Sequence, residues 1–320
     1  MKKSVKILIV TASVLVVSGI LLCIGALAAV GFDIEKLSTV TYVTNTHEVS
    51  AGFGSISVDS NTSDITFALT DEKACKVVCF EQGKISHTVD VQDNTLVIRQ
   101  KDERKWFDYI NISFRSPKVT VYLPKTDYAA LTVKSTTGNV NIPEAFTFDS
   151  ASIRSYTGNV SFGASVKNDL RVSLSTGNTK IKNASASGVS LSSSTGNIEL
   201  ENVKAAEDLA VNTSTGNIRL AEVTCKNCRA EASTGNITLS DTVASGDLRL
   251  TCSTGNIRFS SCDAADITAK TSTGNITGSL RSEKIFYAES STGSVDVPRG
   301  AKGGTCNAKS DTGNIRISVE

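Results

Sequence analysis

Residues 208–239 read DLAVNTSTGNIRLAEVTCKNCRAEASTGNITL, which is one phrase written twice, centred on Gly216 and Gly235. Leu209, Val211, Ile218 and Leu220 of the first copy return as Cys228, Ala230, Ile237 and Leu239, with Arg219 and Thr238 between the last two of each set. Apolar and polar positions alternate with period two on both sides of Ser-Thr-Gly-Asn. That is the pattern of two half-buried strands flanking a tight turn. A glycine in the middle of each copy, with no 3.6-residue stripe, excludes a helix. Glycine accepts positive φ without steric cost, and asparagine is the next most tolerant residue.

Working outward, the Thr-Gly-Asn turn recurs at Gly138, Gly158, Gly177, Gly196, Gly216, Gly235, Gly255, Gly274, Gly293 and Gly313, at intervals of 19 or 20 residues. The residue after each glycine is Asn139, Asn159, Asn178, Asn197, Asn217, Asn236, Asn256, Asn275, Ser294 and Asn314. A fixed period of this size is the signature of a solenoid. Residues 128–320 are therefore expected to form an all-β, right-handed parallel β-solenoid (β-helix) of about ten rungs, handed as parallel crossovers are. Stacked at ~4.8 Å, the rungs would superpose like on like: aliphatic ladders inside and an asparagine ladder along the turns.

Upstream, residues 52–127 read as a β-rich cap of short alternating runs: Ser55–Asp59, Asp64–Leu69, Cys75–Phe80, Ser86–Val91, Thr95–Arg99, Ile110–Phe114 and Lys118–Leu123. Such a cap would cover the first rung. Trp106, Phe107, Tyr109, Phe114 and Tyr122 are expected to form a small core there, and Lys101–Lys105 a solvated hairpin tip. Residues 33–51 read as a linker. Residues 1–32 hold the uncharged run Ile7–Phe32 behind Lys2, Lys3 and Lys6. That run is long enough to cross the ~30 Å hydrocarbon layer, with the lysines cytoplasmic and everything after residue 33 outside. A cleavable signal peptide competes, because Ala26-Leu27-Ala28 suits signal peptidase, although the apolar run exceeds the usual core. Leu22 is too large to precede a lipidated Cys23. The expected location is the cell membrane, single-pass, with the carboxy-terminal region extracytoplasmic.

Lys and Arg total 33 against 32 Asp and Glu, a net charge of +1. This balance argues against nucleic acid as a partner, since displacing counterions from phosphates needs a basic surplus.

The hairpin-rich start, the Val-Tyr-Leu-Pro strand at Val121–Pro124, and Leu131-Thr-Val-Lys-Ser-Thr-Thr-Gly-Asn-Val140 with its repeats resemble the bacterial putative-adhesin family of β-strand-repeat proteins. The resemblance covers roughly residues 50–320. It implies an envelope protein with a repetitive β fold and a domain of unknown function, and it brings no catalytic or binding residues. The cysteine content departs from the family.

Several constellations could carry chemistry. Cys225-Lys226-Asn227-Cys228 is a C-x-x-C, with Cys252, Cys262 and Cys306 beyond it. Each of these cysteines falls in a column of small or apolar residues, so they read as core filler. Cys75 and Cys79 share a strand face too far apart to bridge. His47 and His87 precede the repeats and read as surface residues. The acids Glu199, Glu231, Asp247, Asp266, Glu289 and Asp296 scatter over different columns, unlike the paired carboxylates of sugar-cleaving enzymes. The Thr137 to Thr312 column could present hydroxyls to ice or glycan, but such residues commonly bond turn backbone. No catalytic residue, cofactor or metal is expected.

The expected function is non-enzymatic: a membrane-anchored rod for surface adhesion, envelope scaffolding or envelope sensing, with a cell-wall or surface glycan or protein as partner. Two alternatives are a polysaccharide-binding or polysaccharide-modifying β-helix and a self-assembling rod. The second would pair through an open strand edge at Ile315–Val319.

Overall fold

A computed structural model describes residues 3–109, 113, 115–300 and 302–320. The expected strand Ile110–Phe114 falls almost entirely outside the described residues, as do Met1 and Lys2.

In the Gly216 rung, strand Asp208–Thr215 runs into the turn and strand Ile218–Cys225 runs out of it. Incoming strands of successive rungs pair in parallel to form one sheet, and outgoing strands form another. Ile218 lies beside Ile237 and Leu220 beside Leu239, all four buried. The alternating columns thus become continuous aliphatic ladders between the sheets, each fully buried Ile or Leu worth roughly 1.5–3 kcal/mol. The ten rungs make a β-solenoid of about nine turns.

A second corner stands six residues after several of the turn glycines. Asn183, Asn202, Glu222, Asp241 and Ser261 take φ between 49° and 54° there. Asn and Asp tolerate this left-handed backbone, whereas Glu222 and Ser261 are held in it by the rungs around them. Across the outer faces, Lys180 pairs with Glu199 at 3.1 Å and Lys226 with Glu207 at 2.8 Å. Exposed pairs contribute ~0–1 kcal/mol each, so they favour the rung register more than they stabilise the rod.

Before the repeats come strands β1 (Tyr42–Val49), β2 (Ser55–Ser60), β3 (Asp64–Thr70), β4 (Cys75–Gln82), β5 (Ile85–Gln92), β6 (Thr95–Asp102) and β7 (Lys118–Pro124). β2 and β3 form a rung of the same kind, stacked in parallel on the Gly138 rung. β6 and β7 form the next rung outward. There the direction reverses: β5 runs antiparallel to β6, β4 to β7, and β1 to β4. Two sequence expectations change here. Within the stretch 33–51, read as a linker, Tyr42–Val49 is the edge strand of a sheet, because it pairs antiparallel with the otherwise open edge of β4 along its whole length. Trp106 is 78% exposed and belongs to no core, while Phe67, Tyr128, Phe146, Phe148 and Phe162 fill the interior. Phe114 and the side chains of Phe107 and Tyr109 lie outside the described residues.

The far end also departs from expectation. Strand Thr305–Thr312 lies between Asp266–Thr273 and Ile285–Thr292, and Ile315–Val319 lies between Ile276–Leu280 and Val295–Asp296. The last rung in the chain is therefore the penultimate rung in space. Ile315 and Ile317 are buried, and the edge at this end belongs to Ile285–Thr292 and Val295–Asp296. The expected self-association through Ile315–Val319 is corrected accordingly: a proline at Ile317 would break the rod itself.

Engineered cysteines on the outer face report this order. Lys270 neighbours Lys309, and Lys309 neighbours Glu289. A K270C/K309C pair, about one strand spacing apart, is expected to oxidise readily, while K270C/E289C at roughly 10 Å stays reduced. Non-reducing mass spectrometry of the two variants separates the orders, and the opposite pattern would establish rungs stacked in chain order.

The amino terminus is a separate element, helix α1 (Lys3–Ala29), 27 residues with none buried. At 1.5 Å per residue it is about 40 Å long, sufficient to cross a membrane.

Candidate functional site

The turn residues singled out from sequence come together as one line along the rod. Each Asn Oδ1 accepts from the backbone N–H of the next rung's turn residue: Asn217 N donates to Asn197 Oδ1 at 2.8 Å, and Asn236 N to Asn217 Oδ1 at 2.9 Å. The side-chain Nδ2 repeats the contact at 3.1 and 3.2 Å. The ladder starts at Asp64 Oδ1, which takes both donors of Asn139. It ends in the swapped order Asn275, Asn314, Ser294. Every oxygen here serves a rung neighbour, so the ladder is a structural seam.

The cysteines lie where their columns place them. Cys75, Cys79, Cys225, Cys228, Cys252, Cys262 and Cys306 are all buried and all free. The hydrogen bond between Cys225 and Cys228 lowers the first thiol's pKa and raises that of the second. Burial pushes Cys306 up to about 12. Cys252 Sγ donates to Gly235 O at 3.1 Å, in the column where Thr271 Oγ1 donates to Gly255 O at 3.0 Å.

The histidine expectation is overturned. β4 and β5 are consecutive but lie in different sheets, so their turn straddles the capped end of the core. The inward residues of β4 are Cys75, Val77, Cys79 and Glu81, and those of β5 begin with Ile85 and His87. Glu81 and His87 therefore face each other inside, with side-chain exposures of 2% and 0%. His87 Nδ1 lies 2.8 Å from Glu81 Oε1, which also accepts the His87 backbone N–H. Asn45 Nδ2 donates to Glu81 Oε2. His87 Nε2 lies 3.3 Å from Ser60 Oγ, which donates to Gln100 Oε1 at 2.9 Å. Gln100 Oε1 also accepts the backbone N–H groups of Asn61 and Thr62, so it is fixed by the β2–β3 turn.

Two more groups complete the cluster. Cys79 Sγ lies within 4.8 Å of both the Glu81 carboxylate and the His87 ring. His47 shares the inner face of β1 with Asn45, and its Nε2 is buried without a hydrogen-bond partner. Burial lowers the pKa of His87, outweighing its hydrogen bond to Glu81, and Nδ1 is the ring nitrogen that faces the Glu81 carboxylate as donor. Burial, then the charge of Glu81, pushes Cys79 up to about 12. A thiol, an imidazole and a carboxylate thus converge in a closed, water-excluded space. The sequence carried a signal for this: His87 and Glu81 sit on the apolar phase of their strands.

With this geometry in view, the family described as Toastrack DUF4097 matches residues 53–318. A solved structure of a "putative adhesin" from Bacteroides fragilis is similar at 16% identity over 88% of this chain and 97% of that one, with a TM-score of 0.45. A "putative adhesin" from Parabacteroides merdae is similar at 14% identity over 88% and 96%, TM-score 0.40. A "putative lipid binding protein" from Parabacteroides distasonis is similar at 18% identity over 73% and 94%, TM-score 0.38. No curated protein matches.

Proposed function

The chain belongs to the Toastrack DUF4097 family, and from that membership and its geometry we propose that it is a membrane-anchored, extracytoplasmic rod with a non-enzymatic role in surface adhesion, envelope scaffolding or envelope sensing. The supporting observation is the pairing of two unlike elements on one chain. One is a 27-residue apolar helix with no residue buried. The other is a solenoid whose ladders run without interruption from the cap to the Gly293 rung.

An exposed apolar helix of that length is stable only in lipid, and the ten glycine-turn rungs with the β2–β3 and β6–β7 rungs, at ~4.8 Å each, make a rod roughly 58 Å long. The wall of such a rod is a regular surface, which suits contact with polymers or other proteins. Anchor and cleaved signal are separated by the mass of the mature amino terminus. In intact cells, a K309C variant is expected to react with a membrane-impermeant maleimide while the protein stays with the membrane through a high-salt wash. Labelling that requires lysis would overturn the outward orientation. For adhesion, the detergent-solubilised chain is expected to bind at least one of isolated cell wall, host matrix or immobilised copies of itself, and no binding to any of them would count against the reading.

A further inference from the structure

We propose that Cys79, Glu81 and His87 form a binding site for a zinc-type divalent cation that staples the capped end of the solenoid. A buried carboxylate and imidazole are costly in a core that apolar residues could fill as well or better. Here they are joined by a thiol on the same strand face, three different donor atoms within 4.8 Å of one another. That donor set is specific. Thiolate and imidazole select zinc or its close relatives, whereas calcium and magnesium demand oxygen ligands. Bonds of about 2.0–2.3 Å to a tetrahedral centre place ligand atoms about 3.4 Å apart, within reach of small side-chain rotations.

Two independent features support the assignment. His47 Nε2 is buried and unpartnered on β1, the strand paired with the one that carries Cys79 and Glu81, outside the 4.8 Å cluster itself. The second feature is the chain His87 Nε2, Ser60 Oγ, Gln100 Oε1, with Gln100 held by two backbone N–H groups. Metal-ligating histidines characteristically give their other ring N–H to such a fixed acceptor.

The proton balance follows from these contacts. When the cation takes Nδ1, the His87 proton moves to Nε2 and is donated to Ser60 Oγ, which goes on donating to Gln100. The cation displaces the Cys79 thiol proton to solvent, and Glu81 stays ionised. One proton is released per cation bound, so affinity rises with pH.

The test is a cobalt(II) titration of the full-length chain in detergent after chelator treatment. The expected result is a thiolate-to-cobalt charge-transfer band saturating at one equivalent and displaced by zinc. The C79S variant is expected to lose the band, and C252S and C306S to keep it. S60A, which retains every ligand, is expected to weaken zinc binding about 10- to 100-fold. Zinc but not calcium is expected to raise the melting temperature of the wild-type chain. No band in the wild-type protein overturns the proposal whether or not C79S folds. A band that survives C79S and disappears in C225S also overturns it, by placing the metal on the C-x-x-C.

Discussion

Replacing Gly216 by alanine is expected to destabilise the solenoid by on the order of 4 kcal/mol, a loss usually seen only when a large core side chain is removed. Gly216 sits at φ 150°, and a Cβ built there would stand 2.0 Å from Gly196 O and 2.5 Å from Gly196 C. Both obstacles are backbone, so no side chain can swing aside. The backbone strain alone is worth about 1–3 kcal/mol. Relieving the clash means parting two rungs at the turn. There Gly196 N donates to Thr215 O, Ile198 N to Asn217 O, and Asn217 N to Asn197 Oδ1. Each disrupted bond adds ~1 kcal/mol. Gly52, with open space around it and no positive φ, supplies the control, and Gly52→Ala is expected to stay within about 0.5 kcal/mol of wild type. Because each rung contacts only its neighbours, hydrogen exchange should show the lost protection concentrated around the Gly196 and Gly216 rungs. Equal denaturation midpoints for Gly216→Ala and wild type would mean that the rungs are not locked at their turns.

The same close approach explains why the solenoid could be read from residues alone. A turn that passes within van der Waals contact of the one beneath it admits only glycine, and each rung must show the same inward columns to bury its neighbour's. Periodicity is thus a direct imprint of stacking, and Ile218 over Ile237 follows from counting. Stacking order is a different matter. The Gly293 and Gly313 rungs carry interchangeable columns, Ala288 with Ala308, Ser290 with Ser310 and Val295 with Ile315. Either rung could sit on the Gly274 rung without spoiling a ladder.

What marks the exchange is the return segment. Gly300 and Gly303 approach Lys284 O and Glu283 O, and Gly304 approaches Ala265 O, so closely that a Cβ would lie 2.1, 2.1 and 1.8 Å from those oxygens. A chain doubling back across an earlier return loop needs such glycines, and the stretch Val297–Gly304 is richer in them than the other returns. The capped end was opaque for a related reason. β2 and β3 form a rung whose turn, Asn61–Ser63, contains no glycine, so the repeat continued past the point where its signature stopped. The polar cluster was legible in phase but not in depth. Alternation puts Glu81 and His87 on the apolar face, yet only the antiparallel closure by β1 and the β4–β5 turn excludes water from them.

Column logic taken alone makes a mistake at Gly278, and the structure turns that into an expected result. Four residues after the turn glycine the column runs Leu220, Leu239, Phe259, Gly278 and then Ile317, each neighbouring the next. Gly278 looks like a gap that leucine should fill with a gain of stability. The gap is already occupied: a Cβ at Gly278 would lie 2.2, 2.3 and 2.6 Å from Phe259 Cδ2, Cε2 and Cγ, so the ring leans across the neighbouring rung. Gly278→Leu is therefore expected to destabilise by about 1–3 kcal/mol through overpacking. Phe259→Leu alone empties that space and is expected to lose a similar amount. Together the two substitutions restore an ordinary leucine ladder, and the double variant is expected within about 1 kcal/mol of wild type. That is a favourable coupling of roughly 2 kcal/mol or more, within the range seen for residues in direct contact. Denaturant midpoints of the four proteins in the cycle measure it. Additive losses, or a gain from Gly278→Leu by itself, would show that the ring does not fill the place of the missing side chain.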